Sequence, residues 1–121
     1  MAILKGVRRE DTPMLSLIVD KLPEIAGLCR DYRIQSLDVF GSAATGRFDP
    51  ETSDIDLICD LGTYEPGVSD RYFAFADALE ALLGYKVDLL TVPMIRNPYF
   101  RQEIDEHRMR LYAAPDSQAA A

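Results

Sequence analysis

Residues 36–60 read SLDVFGSAATGRFDPETSDIDLICD, and this stretch decides the fold. Its first five residues, 36–40, are mostly apolar and end at Gly41, which predicts a short buried strand. A turn rich in small residues follows over 41–46, and a polar loop then leads into a second apolar segment, 54–60. We therefore predict two strands joined by a small-residue turn and a loop.

Two aspartates, Asp54 and Asp56, stand one position apart at the start of the second predicted strand. Side chains alternate across a strand, so Asp54 and Asp56 share one face while Ile55 and Leu57 point into a core. Two carboxylates on one face repel each other unless a cation lies between them. The pair therefore predicts a divalent-metal site that faces the turn at Gly41.

The rest of the chain predicts helices and a third strand. Apolar residues spaced three and four apart, proline, glycine and capping residues mark these elements. They are a helix from the Thr12-Pro13 cap to Tyr32 that is kinked or divided at Pro23, a helix capped by Ser69 and ended by Gly84, a strand over Lys86–Thr91, and a helix opened by Asn97-Pro98. We predict one domain over residues 1–112 and a disordered tail over 113–121.

The composition of the chain indicates a small acidic domain. It has 121 residues and a formal net charge of −7. A domain of this size buries one core, so a large substrate must be held by a partner. The negative charge argues against direct nucleic-acid binding, which needs a cationic face. Cys29 and Cys59 are predicted to be reduced core residues, and without a signal peptide or membrane span we expect a cytoplasmic protein with no membrane contact.

Asp88 is the third candidate carboxylate, because it is a lone charge in the apolar strand 86–91. An unpaired buried carboxylate costs several kcal/mol, and a metal ion removes that cost. Three carboxylates on neighbouring strands can hold two Mg²⁺ ions, which suit an in-line displacement at phosphorus. Gly41 permits close approach of the backbone, and Ser42 offers a hydroxyl and an N–H to phosphate oxygens.

The two motifs resemble the signature of the polymerase-beta-type nucleotidyltransferases. They are Gly41-Ser42-Ala43-Ala44-Thr45-Gly46 and Ser53-Asp54-Ile55-Asp56-Leu57. The chain is most similar to the minimal nucleotidyltransferases of that superfamily. This resemblance implies a polymerase-beta-like α/β (α+β) fold, a small mixed sheet of three or four strands flanked by helices.

The same resemblance implies roles for five residues. Gly41 and Ser42 would hold the nucleoside triphosphate, with ATP as the substrate. Asp54, Asp56 and Asp88 would be the catalytic residues and the ligands of Mg²⁺, with Asp88 either accepting the proton of the attacking hydroxyl or holding the metal. The family often has an arginine at the position of Thr45, and Arg47 is the nearest candidate to replace it.

The resemblance also implies a partner. Minimal nucleotidyltransferases include antitoxins that transfer AMP to a tyrosine of a co-encoded HEPN-domain ribonuclease toxin and so neutralise it. Two other functions stay open at this point: an antitoxin that neutralises by binding alone, and a transferase that modifies a small molecule such as an antibiotic. The second usually needs a separate acceptor domain.

Several residues also have structural interpretations. Asp54 and Asp56 could cap a loop, and Asp88 could pair with Lys86. Arg47 and His107 could simply be solvated. The C-terminal arginines are candidates to contact nucleotide phosphates or an acidic partner, but they alternate with acidic residues and are interpreted as a solvated face of mixed charge; they are Arg96, Arg101, Arg108 and Arg110.

Overall fold

The protein forms a four-stranded mixed sheet with helices on both faces. A computed structural model describes residues 15–115, so the predicted Thr12-Pro13 cap and residues 116–121 of the predicted tail lie outside the described residues. The elements in chain order are α1 (Ser16–Asp20), α2 (Leu22–Asp31), β1 (Ser36–Phe40), α3 (Ser42–Thr45), β2 (Ile55–Asp60), α4 (Val68–Leu83), β3 (Val87–Thr91), a 3₁₀ helix (Val92–Met94), α5 (Pro98–His107) and β4 (Met109–Ala113). This architecture confirms the predicted α/β fold.

The strand order in the sheet is β3-β2-β1-β4. β1 is antiparallel to both of its neighbours, β2 and β4, whereas β2 and β3 are parallel. Parallel strands need a long crossover, and α4 provides it. β4 was not predicted from the sequence; it takes in Ala113, which the predicted tail included, and the N–H of Ala114 donates to the carbonyl of Gln35 at 2.8 Å.

The two faces of the sheet are covered unequally. The larger core lies between one face and helices α1, α2 and α4, and it includes Leu37, Leu57 and Leu89 from three neighbouring strands. The opposite face carries only a small cluster formed by Phe40, Ile58 and Ile104 of α5. Because side chains alternate, polar residues next to Phe40 and Ile58 in register also lie on this thinly covered face.

The ends of the helices follow local sequence signals with one exception. Pro23 lies in the first turn of α2, so of the two predicted alternatives, a kink or two consecutive helices, the structure shows the second. Asn97 caps α5, since its Oδ1 accepts from the N–H groups of Tyr99 and Phe100. The predicted Ser69 cap is wrong: α4 begins at Val68, and Gly67 with a φ of 92° occupies the capping position.

Arg71 ties two loops to the start of α4. Its guanidinium donates to the carbonyl oxygens of Tyr32 and Arg33 at 3.1 Å, of Leu61 at 3.0 Å and of Thr63 at 3.1 Å. It also contacts Oε1 of Glu65 at 3.4 Å, and its side chain is only 9% exposed. One buried cation therefore supplies donors for the end of α2 and for the connection from β2 to α4.

None of the helices within 15–115 combines the length and the apolar character needed to cross a membrane.

Candidate functional site

The three aspartates predicted from the sequence lie near the N-terminal ends of the neighbouring strands β2 and β3. Asp56 of β2 is paired in register with Asp88 of β3 on one side and with Phe40 of β1 on the other. Asp54 immediately precedes β2. Asp56 is half-buried, whereas Asp54 and Asp88 are exposed. The sheet register therefore brings the predicted carboxylates together beside the end of β1.

Burial and neighbouring negative charges both disfavour the ionised form of Asp56. Its pKa is raised to about 6, first by burial and then by the charges of Asp88 and Asp54. The three carboxylates have no hydrogen-bond or ion-pair partner among residues 15–115, and Lys86 does not pair with Asp88 there. Within the same range no three acidic, histidine or cysteine side chains are gathered closely enough to enclose a metal ion. Unpaired, repelling carboxylates are nevertheless the donor set that suits a hard divalent cation.

The turn after β1 packs directly against Asp56. Gly41 has φ 69° and ψ −151°, a conformation that only glycine adopts readily. A Cβ at this position would lie 2.4 Å from Oδ2 of Asp56. The predicted turn 41–46 contains the single-turn helix α3, and its last residue, Thr45, donates its hydroxyl to the carbonyl of Gly41 at 3.2 Å. Thr45 therefore stabilises the turn by a hydrogen bond, and it does not supply the positive charge of the arginine expected at this position.

A cavity of about 850 Å³ opens between this turn and α5. Gly41, Ser42 and Asp56 lie in its wall, while Asp54 and Asp88 stand outside it at the sheet edge. Its other side includes Arg108, one of the arginines considered as a phosphate contact, and residues that were not predicted as part of the site; these are Phe100, Glu103, Glu106 and His107. Arg47 also lines it, as do the apolar side chains of Phe40 and Ile104. The predicted turn and Asp56 thus form one side of the cavity, and α5 with the residues after it forms the other.

Comparison with known proteins identifies the family. The family model described as a nucleotidyltransferase domain matches residues 21–111. The chain belongs to the nucleotidyltransferase family. A protein of Methanocaldococcus jannaschii that is provisionally named a protein adenylyltransferase is 41% identical over 75 residues, which cover 62% of this chain and 74% of the relative.

Solved structures agree with this assignment. A provisionally identified minimal nucleotidyltransferase superposes with a TM-score of 0.62 at 26% identity, covering 79% of this chain and 94% of the other. A chain from the complex of the tri-AMPylated HEPN toxin of Shewanella oneidensis with its MNT antitoxin has a TM-score of 0.55 at 19% identity, covering 85% and 78%. A toxin–antitoxin structure with AMP-PNP gives 0.59 at 22%, covering 82% and 78%. The last two show a shared fold, and the nucleotidyltransferase is of the minimal type.

One premise of the sequence argument was wrong for this nucleotidyltransferase. Asp88 was expected to be a buried lone charge, but it is exposed. The buried charge is Asp38 in the middle of β1, and two arginines from the end of the chain neutralise it. The sequence did contain a signal for this burial, because Asp38 stands between the apolar residues Leu37 and Val39.

The interpretation of the C-terminal arginines as a solvated face was wrong for Arg108, which is largely buried, whereas Arg110 is exposed but also forms an ion pair. Arg108 donates its Nε to Oδ2 of Asp38 at 2.6 Å, and Arg110 donates its Nε to Oδ1 at 2.7 Å. Hydrogen bonds between two ions are short and strong, and these two attach β4 and the residue before it to β1. His107 is exposed, as predicted, yet it faces the nucleotidyltransferase cavity.

Gly41→Ala is expected to reduce nucleotidyl transfer by more than about 100-fold, because the added Cβ must displace either the turn or the carboxylate of Asp56. Gly84→Ala is the matched control: Gly84 also has a positive φ, 76°, but a Cβ there has no neighbour within 4 Å. Both variants should lose some thermal stability. Transfer rates measured under conditions in which both are folded should fall only for Gly41→Ala, and equal rates would contradict the close packing described here.

Proposed function

We propose that this protein is a metal-dependent antitoxin that transfers AMP from ATP to a tyrosine of a HEPN-domain ribonuclease toxin and thereby neutralises it. The observation that carries the proposal is the sheet register, which places Asp88 beside Asp56, while Asp56 and the Gly41 turn line the same cavity. The names of the M. jannaschii relative and of the S. oneidensis complex support the acceptor class. The AMP-PNP in a structure of the same fold supports ATP as the donor.

Within this proposal, Asp54, Asp56 and Asp88 hold Mg²⁺ and the turn holds the triphosphate. Bound Mg²⁺ would neutralise phosphate charge and favour displacement at the α-phosphorus. The tyrosine oxygen forms a bond to the α-phosphorus, the bond from that phosphorus to the bridging oxygen breaks, and pyrophosphate leaves. Asp88 is exposed beside Asp56, so it is open to the incoming hydroxyl and can accept its proton or serve as a metal ligand.

The size of the cavity supports a nucleotide as its occupant. Its volume of about 850 Å³ lies in the range of small-molecule and cofactor sites, and its wall combines Phe40, Phe100 and Ile104 with polar groups. Residues 15–115 form one sheet with its helices and contain no second domain that could hold an acceptor. A protein partner that brings its own tyrosine therefore suits this chain better than a small-molecule acceptor.

The proposal is tested by incubating the purified protein with Mg²⁺, α-labelled ATP and the HEPN-domain protein encoded beside it. We expect label on a tyrosine of the partner, loss of its ribonuclease activity, and neither effect when Mg²⁺ is chelated. The Asp54→Asn/Asp56→Asn double variant is the control. Full neutralisation by this variant, with unchanged complex formation, would mean that binding alone silences the toxin.

A cytoplasmic location stays a prediction, and it follows from the proposal because both the donor ATP and the ribonuclease target are intracellular.

A further inference from the structure

We propose that Arg108 is a further substrate-binding residue, whose guanidinium binds the triphosphate of the nucleotide in the cavity, and that buried Asp38 is the residue that positions it. This inference rests on the proposed function, because it assumes that the cavity holds a nucleoside triphosphate. It adds a residue from the α5–β4 junction to a site that the two sequence motifs place only at the Gly41 turn and the three aspartates.

The guanidinium of Arg108 is held from two directions. Nε donates to Oδ2 of Asp38 at 2.6 Å, and Nη1 donates to Oδ1 of Asp105 at 2.9 Å. The Asp38 side chain is 4% exposed and that of Arg108 is 25% exposed, so the pair is largely shielded from water on the Asp38 side. Among the described residues Nη2 has no hydrogen-bond partner, and Arg108 lies in the cavity wall together with Ser42 and Asp56. The cavity wall therefore includes a residue whose guanidinium is held in place and keeps one group, Nη2, without a partner among the described residues.

The charges around the cavity explain why such a group is needed. Asp56, Glu103 and Glu106 all line the chamber and would repel a triphosphate. Arg47 also lines it, but its side chain is exposed and has no hydrogen bond or ion pair within 15–115, so binding would have to order it. Arg108 is already ordered by two carboxylates. A pre-oriented guanidinium binds phosphate oxygens with little further loss of side-chain freedom.

Arg110 provides a comparison within the same ion cluster. It donates its Nε to the other oxygen of Asp38 at 2.7 Å, but its side chain is 56% exposed and it does not line the cavity. If the cluster only joins β4 to β1, the two arginines should be equivalent. If Arg108 also binds substrate, only its replacement should weaken nucleotide binding.

The test compares Arg108→Gln with Arg110→Gln in the full chain. Calorimetric titration with Mg²⁺ and a non-hydrolysable ATP analogue, and separately with Mg²⁺ and inorganic tripolyphosphate, gives the dissociation constants, and thermal melts give the stability of each variant. We expect Arg108→Gln to raise both dissociation constants about 10- to 100-fold, the usual effect of losing a hydrogen bond to a charged group. Arg110→Gln should change both dissociation constants less than about twofold. Its melting temperature should fall by about as much as that of Arg108→Gln.

Two further variants extend the test. Asp38→Asn should weaken binding of both ligands although residue 38 does not reach the cavity. Arg108→Lys should bind more weakly than wild type, because an ammonium group cannot reach Asp38, Asp105 and a phosphate together, and it replaces Arg108→Gln if that variant does not fold.

Unchanged affinities in Arg108→Gln, or equal losses in both arginine variants, would overturn the inference. A loss for the ATP analogue without a loss for tripolyphosphate would overturn the assignment to phosphate. Failure of the wild-type protein to bind the ATP analogue at all would instead overturn the proposed function. If the ATP analogue binds equally well without Arg108, the proposed function is unaffected and only the role of Arg108 is overturned.

Discussion

Asp56→Asn is expected to abolish nucleotidyl transfer and to stabilise the metal-free protein at the same time. The carboxylate is half-buried beside Asp88 and near Asp54 without a partner among the described residues, so its charge opposes folding until a cation is bound. The amide keeps the shape and removes the charge. We expect transfer to fall more than about 100-fold and the melting temperature in chelator to rise by about 2–5 °C, after allowance for solvent screening at a half-buried site.

The pH dependence of this stabilisation has a definite sign. Folding raises the pKa of Asp56 to about 6 from its ordinary value near 3.8. A carboxyl with a raised folded pKa favours the folded state while it is protonated, and that advantage is lost as the pH rises through about 6. The difference in melting temperature between Asp56→Asn and wild type should therefore be full at pH 7.5 and should shrink steadily toward pH 4.

Differential scanning fluorimetry with and without Mg²⁺ measures both effects. Added Mg²⁺ should raise the melting temperature of the wild type and change that of Asp56→Asn much less. Asp77→Asn is the matched control, since Asp77 is exposed on α4 and the same chemical change there should alter neither transfer nor the response to Mg²⁺. A variant Asp56→Asn that melts below the wild type at pH 7.5 would contradict the repulsion described here.

Arg71→Met is expected to produce the largest loss of stability. The substitution keeps the aliphatic packing of the side chain but leaves the carbonyl oxygens of Tyr32, Arg33, Leu61 and Thr63 without their donor. The substitution also removes the buried cation that pairs with Glu65. One oxygen of Glu65 is already buried without a hydrogen-bond partner. We expect a loss of about 3 kcal/mol in the free energy of unfolding and a fall of more than about 10 °C in melting temperature.

Arg33→Met is the matched control for this prediction. Arg33 approaches the same Oε1 of Glu65 at 3.9 Å, but its side chain is 74% exposed. Loss of an exposed ion pair should cost less than about 1 kcal/mol. Urea unfolding of the two variants separates the cases, and comparable losses would mean that the carbonyl hydrogen bonds of Arg71 contribute little.

The predicted half of the site has short-range signals in the sequence. β1, the glycine turn and β2 follow one another within 25 residues, and the spacing of Asp54 and Asp56 fixes their common side of the strand. The family model and the structural neighbours confirm the predicted family and fold. The metal ligands and the nucleotide-binding residues stay predictions.

The other half has no short-range signal. Only Arg108 separates the end of α5 from the start of β4, so no loop marks the change, and the partner strand β1 lies about 70 residues earlier in the chain. Because Asp38 lies about 70 residues before Arg108 and Arg110, the sequence pattern did not predict that they pair. Asp38 and Asp88 look alike in sequence, each a single charge in an apolar strand, and only the cover provided by α5 and β4 makes one buried and leaves the other exposed.

The late position of β4 has a consequence for the order in which the sheet can form. β1 can pair with β2 as soon as residue 60 has been synthesised, but its other side has to wait for residues 109–113. Until then β1 is an open edge, and open edges invite pairing with other chains. Asp38 places a charge in the middle of that edge, which discourages association with apolar strands. The arginines that later neutralise it come with β4, Arg110 within the strand and Arg108 directly before it.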